Sequence, residues 1–99
     1  MTPRANPARG EAEVAGFVLR PSFAALVAAE QELGPLFALV ERVGEGRLTL
    51  AELVALFWHC VPEDRRPERA AFAEAVTAGG LVTATPALKL LLGQILSGR

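Results

Sequence analysis

The residues with the greatest chemical potential are His59 and Cys60, which are adjacent near the end of a predicted helix. A histidine base beside a cysteine nucleophile is an arrangement used in covalent catalysis. Neighbours on a helix, however, point roughly 100° apart, so these two side chains are not expected to meet. We interpret Cys60 as a half-buried cysteine and His59 as a residue at the rim of the core.

The sequence also has few residues suited to binding a metal ion or a phosphate group. A zinc site needs three or four ligands at regular spacing, and the nearby candidates straddle Pro62 and match no zinc pattern: His59, Cys60, Glu63 and Asp64. The glycine-containing turn at residues 44–46 lacks the lysine of a phosphate loop. With one histidine, one cysteine, one aspartate and no tyrosine, the chain is predicted to be no enzyme and to hold no metal or cofactor.

Composition restricts the partners. A net charge of −1 favours neither nucleic acid nor an anionic membrane. Three arginines form the only basic cluster, Arg65, Arg66 and Arg69, and acidic residues are interleaved with them, which indicates a solvated surface with local ion pairs. One cysteine, no secretory signal and no long apolar run predict a cytoplasmic protein. Nine arginines against one lysine are typical of a GC-rich bacterial genome.

The N-terminal part of the chain is predicted to form an arm followed by a hairpin. Residues 1–9 carry two prolines and no periodic pattern, so we expect a flexible arm, with residues 10–99 forming one domain. Ala15 and Gly16 lie where a two-residue turn would join two short strands. A two-stranded hairpin is marginal alone, so it must pack on helices or on a partner.

The first two helices have clear boundaries. Pro21 and Ser22 start a helix that Gly34 can end. Its apolar residues, Phe23, Leu26, Val27 and Leu33, are predicted to lie toward one side. Pro35 begins a second helix, which ends at residues 44–46 and carries Leu36, Leu39, Val40 and Val43 on one stripe.

The third helix has the strongest start signal. Thr49 and Glu52 fit a capping box. Its stripe consists of Leu50, Leu53, Val54, Phe57 and Val61, and Pro62 ends it. Pro67 is predicted to start a fourth helix, and Thr85 with Pro86 a fifth that runs through Leu96 and closes at Gly98. The fold is therefore expected to be mainly α, a compact bundle of about five short helices with a small N-terminal β-hairpin.

Surplus apolar surface is the main functional signal. Leu90 and Leu96 broaden the stripe of the last helix beyond what one core face needs, and Leu90 lies furthest off that stripe. Trp58 lies one step off the stripe of the third helix. We predict that Trp58, Leu90 and Leu96 contact a partner, while a buried last helix and a tryptophan closing the core edge remain the alternatives.

The order of several short motifs resembles a known family. Residues 6–11 (Asn-Pro-Ala-Arg-Gly-Glu) precede a strand, and residues 19–26 (Leu-Arg-Pro-Ser-Phe-Ala-Ala-Leu) lead into a helix ending at Leu33-Gly34. Gly-Arg-Leu-Thr at 46–49, Ala-Gly-Gly-Leu at 78–81 and a leucine-rich end follow. This pattern is similar to the tail assembly chaperone family of phage-like gene transfer agents, often labelled tail or tail tube proteins. Nothing is carried over to residues 57–69, which depart from it.

The resemblance implies a non-enzymatic accessory protein of tail assembly. Such chaperones are expected to bind the tape-measure protein, the tail tube protein or both before the tube polymerises, without nucleic acid, membrane or cofactor. Whether the chain forms a homo-oligomer stays open. The alternatives are an unrelated helical adaptor or regulator, and a prophage DNA-binding domain.

Overall fold

The structure, a computed structural model, describes residues 12–97 of the 99-residue chain. An antiparallel hairpin is followed by five helices, and a single 3-10 turn, Glu63–Arg65, joins the third helix to the fourth. The elements are β1 (Ala12–Val14), β2 (Phe17–Leu19), α1 (Phe23–Leu33), α2 (Leu36–Gly44), α3 (Leu50–Cys60), α4 (Arg69–Ala78) and α5 (Leu81–Ser97). The predicted fold class is confirmed. The predicted arm at residues 1–9 and the closing Gly98 lie outside the described residues.

The hairpin turn is the one predicted. Ala15 and Gly16 have φ angles of 53° and 83°, the paired positive values that a two-residue type I′ turn requires. The turn pairs Val14 with Phe17, and Ala12 with Leu19. Since Ala12, Val14 and Leu19 are buried while Glu13 is exposed, one face of the hairpin belongs to the core.

The core lies between that hairpin face and the helices. β1 packs against α5, and α3 packs against both α1 and α4. The Phe17 ring meets the Phe72 ring of α4 edge-on, with centroids 5.5 Å apart. Phe57, Phe72 and Leu91 are among the largest fully buried side chains. A Cα radius of gyration of 12.4 Å is close to the roughly 13 Å typical of a 100-residue domain.

Side-chain caps fix two helix starts as predicted. The Ser22 hydroxyl accepts a hydrogen bond from the Ala25 N–H at 3.2 Å. At α3 the Thr49 hydroxyl accepts from the Glu52 N–H, and the Glu52 carboxylate accepts from the Thr49 N–H, which completes the capping box. That backbone donor, together with Arg42 at 2.6 Å, lowers the pKa of Glu52.

Two residues predicted to face the core do not. Phe23 is 84% exposed, because α1 rests on α3 through Ala25 and Ala29, and a residue two positions before Ala25 points roughly 200° away from it. Leu50 is the first residue of α3, a full turn before its first buried residue, and is 44% exposed.

The starts of the last two helices were also predicted incorrectly. α4 begins at Arg69, with Glu68 rather than Pro67 at its start. α5 begins at Leu81, so Pro86 lies inside it rather than at its first turn. Ala84 and Ala87 are buried on either side of Pro86, and the continuous helix places both against the core.

Membrane-spanning potential is limited to helix pairs. Within residues 12–97 no single helix is both long and apolar enough to cross a bilayer; two pairs, bent by 75° and 112°, meet the length and composition test only when each pair is taken together.

The interior proline of α5 gives a stability prediction. Pro86→Ala should raise the free energy of unfolding by about 1–2 kcal/mol, because it restores an N–H donor to the helix and Pro86 is exposed, so no packing is lost. Urea denaturation followed by circular dichroism measures the change. Lys89→Ala, an exposed change in the same helix, should stay within about 0.5 kcal/mol of the parent. A destabilised Pro86→Ala variant would mean that the proline sets a bend the core requires.

Candidate functional site

His59 and Cys60 face different surroundings. Cys60 is fully buried rather than half-buried, at 1% exposure, and burial raises the pKa of its thiol to about 12. Its neighbour His59 contacts Glu32, with Nε2 2.8 Å from the carboxylate Oε1. Among residues 12–97 no three side chains of the metal-binding types gather closely enough to hold an ion. A buried, protonated thiol is a poor nucleophile.

An ion-pair cluster joins three helices beside His59. Arg69 of α4 donates two hydrogen bonds to the Glu32 carboxylate of α1, at 2.5 and 2.8 Å, and His59 of α3 provides a third contact. The Arg69 hydrogen bond and then that of His59 lower the pKa of Glu32 from its ordinary 4.5 to about 2. The cluster therefore fastens α1 to the junction of α3 and α4.

Trp58 occupies the same junction. Its indole N–H donates to the Pro67 carbonyl at 3.0 Å, and the guanidinium carbons of Arg66 and Arg69 lie 4.6 and 4.4 Å from the ring centroid. Trp58 is half-buried against the core. Its indole is thus engaged within the fold, and its predicted contact with a partner stays a prediction.

The basic cluster is not the solvated surface that the sequence indicated. Arg66 is half-buried and donates to the carbonyls of His59 and Val61, at 3.1 and 2.9 Å, where α3 ends. Carbonyls at a helix C-terminus lack partners within the helix, so Arg66 caps α3. Arg65 alone of the three is exposed.

The predicted contact residues of α5 separate into two environments. Leu96 is 61% exposed. Leu90 is partly buried and packs against the core, so the expectation that it lies off the core stripe is wrong. The reason is that α5 contacts α4 as well as β1, which widens its buried face.

A groove between α3 and α4 has a volume of about 620 Å³. Ala51 and Val54 of α3 face Ala70 and Ala73 of α4 across it. The remaining lining residues are Leu50 and Thr77 toward one end and Glu32 with Arg69 toward the other. Positions 70, 73 and 77 share one stripe of α4, and their small side chains let another backbone approach closely.

An apolar pocket adjoins the groove. It measures about 260 Å³ and shares Leu50 with the groove. Leu81, at 54% exposure, stands on its α5 side. Its other apolar lining residues are Val43, Leu48, Leu53, Ala84 and Leu88. We name the groove and the pocket together the Leu50 track, because Leu50 lines both; their lining is mainly apolar and comes mostly from α3, α4 and α5.

Sequence reasoning missed the Leu50 track. Its floor consists of alanines, which carry no functional signature, and Leu50 had been assigned to the core. The available signal was the 70, 73, 77 spacing of small residues on α4, opposite a helix that begins with leucine.

A family model described as phage tail tube protein, GTA-gp10, matches residues 11–98 of the chain. The chain belongs to this family. The resemblance to gene-transfer-agent tail proteins is thereby confirmed for nearly the whole chain. The tail-family description names the tube and does not mention a chaperone. Curated proteins and solved structures give no significant match.

The Glu32 cluster gives a pH prediction. A carboxylate with a lowered pKa stabilises the fold above its unfolded value of 4.5, and this stability is lost as the pH falls toward 2. Because Glu32 is 37% exposed, we expect Glu32→Gln to cost up to roughly 1 kcal/mol at pH 7. Its difference from the parent should shrink steadily in urea titrations between pH 5 and pH 2. Glu41→Gln, on the exposed side of α2, is the control. An equal pH effect in that variant would show that the pH-dependent stability does not come from Glu32.

The buried thiol gives a reactivity prediction. In the folded protein Cys60 should react with Ellman's reagent on the order of a hundredfold more slowly than in urea-unfolded protein, because it is inaccessible and protonated. A Cys60→Ala protein carrying Ala71→Cys, at an exposed position of α4, provides the accessible control. Comparable rates for the two folded proteins would show that the α3 terminus opens readily.

Proposed function

We propose that this protein is a non-enzymatic accessory factor of phage-like tail assembly, acting in the bacterial cytoplasm. It binds a helical segment of the tape-measure protein, the tail tube protein or both before the tube polymerises. No cofactor, nucleotide, nucleic acid or membrane takes part. Membership of the tail family supports a role in tail assembly, and the Leu50 track supports the binding of a helix in a groove.

The observation that carries the proposal is the exposure of two leucines on the Leu50 track: Leu50, which lines both the groove and the pocket, and Leu81, which lines the pocket. A helix that docks in a groove needs apolar anchors beside a floor that its backbone can approach. The alanine-lined floor between α3 and α4 supplies the second requirement, and the two leucines supply the first. The groove is about as long as the stripe from position 70 to 77, roughly two helical turns.

The fold argues for an accessory role over a place in the tube wall. A ring built from sheet needs long strands that pair between subunits. The described residues contain two strands of three residues each. Tube-wall subunits of that kind cannot be assembled from so short a hairpin unless helices refold, so temporary binding of another tail protein fits this chain better.

Leu50→Glu is the direct test. Co-expression with the tape-measure protein of the same gene cluster should keep that partner soluble, and isothermal titration with its purified helical segments should give an affinity. We expect Leu50→Glu to weaken the affinity at least about tenfold, because a carboxylate would be desolvated against the alanine floor. Since Leu50 is partly exposed, the fold itself should lose only about 0.5–1 kcal/mol.

Two further variants locate the site. Phe37→Glu makes the same change at a residue that is 81% exposed on α2 and does not line the Leu50 track, so it should bind normally. Leu96→Glu tests the predicted contact at the end of α5. Lost binding in Leu96→Glu together with normal binding in Leu50→Glu would move the site to α5. Normal binding in all three, or no binding of either tail protein by the parent, would contradict the proposal.

A further inference from the structure

The turn between α4 and α5 depends on the backbone of a single residue. α4 ends at Ala78, α5 begins at Leu81, and the two helices are bent by 112°. Gly79 has φ and ψ of −76° and −12°, in the right-handed helical region. Gly80 has a φ of 84°, in the left-handed region that favours glycine. Return of Gly80 to helical backbone would therefore join α4 and α5 into one continuous helix.

The bend leaves hydrogen-bond donors unpaired at the start of α5. Within residues 12–97 no hydrogen bond reaches the N–H of Leu81 or of Val82, and Gly80 has no side chain to cap them. In a continuous helix these donors would pair with the carbonyls of Thr77 and Ala78, four residues earlier. Straightening therefore forms backbone hydrogen bonds that the bent turn lacks.

The turn between α1 and α2, which are bent by 75°, differs in both respects. Pro35 follows Gly34 there, and a proline disfavours helical backbone at the residue before it. The Glu30 carboxylate also accepts from the Leu36 N–H at 3.0 Å, which pairs a donor in the first turn of α2. Of the two bent pairs, α4 and α5 are thus the pair that can straighten.

α5 is attached to the rest of the fold by apolar packing. It packs against β1, with Ala84 and Leu91 among its buried residues. Within residues 12–97 the side-chain hydrogen bonds of α5 come from two threonines, and they reach only carbonyls of the preceding turn and of its own first residue. Transfer of α5 to an identical site therefore breaks no hydrogen bond to another element.

A straightened chain cannot cover its own β1. As one helix, residues 69–97 would be about 43 Å long at 1.5 Å per residue, whereas the longest dimension of the fold is 37 Å. α5 would project away from the core, and the buried faces of Ala12, Val14 and Leu91 would be exposed, which is unfavourable. The α5 of a second copy matches the vacated surface, because the same α5–β1 contact already forms within each chain.

We propose that two copies of this chain exchange their α5 helices. Gly80 becomes helical in both copies, and each α5 packs on the β1 of the other, which makes a domain-swapped dimer. Leu81 and Val82, which are 54% and 86% exposed in the single chain, lie directly after this hinge. Their apolar surface is therefore available for the new contact between the two straightened helices.

Gly80→Ala is the direct test, because alanine is strained at a φ of 84° and favoured in a helix. A dimer contains two hinges, so its dissociation constant, measured by analytical ultracentrifugation, should fall at least about tenfold below that of the parent. Gly79→Ala is the matched control. Gly79 is already helical, and a Cβ there would lie no closer than 3.5 Å to its neighbours, so the constant should change by less than about threefold.

Mixed dimers distinguish exchange from the association of two closed chains. A dimer refolded from 13C-labelled and unlabelled chains should give isotope-filtered nuclear Overhauser effects between α5 of one copy and Val14 of the other, because α5 packs on β1. If Gly80→Ala does not fold, the same measurement on the parent, refolded from urea at about 1 mM, decides.

Three results would overturn the proposal: Overhauser effects confined to single copies, no dimer from either protein, or an equal shift in Gly79→Ala. All of these measurements are made without a tail protein. None of them depends on the outcome for Leu50→Glu.

Discussion

The buried face of an eight-residue hairpin organises this fold. A two-stranded hairpin is barely stable in water, and a chain of 99 residues offers only a small core, so neither the strands nor the helices suffice alone. Ala12 and Leu19 are completely buried, β1 lies against α5, and the Phe17 ring meets Phe72 of α4. The hairpin thus occupies the position that a further helix would hold in a simple bundle. Because α4 and α5 both rest on it, their relative placement depends on it.

The junction of α3 and α4 provides the second constraint, and it is polar. Trp58, Arg66, Arg69 and Glu32 connect the end of α3, the intervening turn, the start of α4 and α1. Exposed ion pairs contribute little stability individually. Here, however, each group has a partner from a different element, so the cluster fixes geometry. It joins α3 and α4 at one end of the groove, where Glu32 and Arg69 are among the lining residues.

Local signals in the sequence predicted several boundaries correctly and others incorrectly, whereas contacts between distant residues could not be predicted. The caps at Ser22 and Thr49 and the turn at Ala15-Gly16 were predicted correctly, because the groups that form them lie within four residues. The start of α5 was wrong because burial of alanines on both sides of Pro86 outweighs the unfavourable effect of an interior proline. The roles of Arg66 and Arg69 could not be predicted from the sequence. The partner of Arg69, for example, is Glu32, which lies 37 residues away. The Leu50 track could not be predicted for a related reason: alanines on two helices line a groove only after those helices have packed together.

The composition of the Leu50 track bears on how an assembly factor would act. Binding energy at protein interfaces is concentrated in a few large side chains, and alanines contribute little area. In the proposed role, a site with two partly exposed leucines and a floor of alanines would hold a helix through few anchors, giving modest affinity. Under the proposal, modest affinity would suit temporary binding, because polymerising tube subunits would have to displace the factor from its partner. A deep pocket with aromatic anchors would bind more tightly and would oppose that displacement. The shallow track therefore agrees with a protein that shields a tail helix and then releases it.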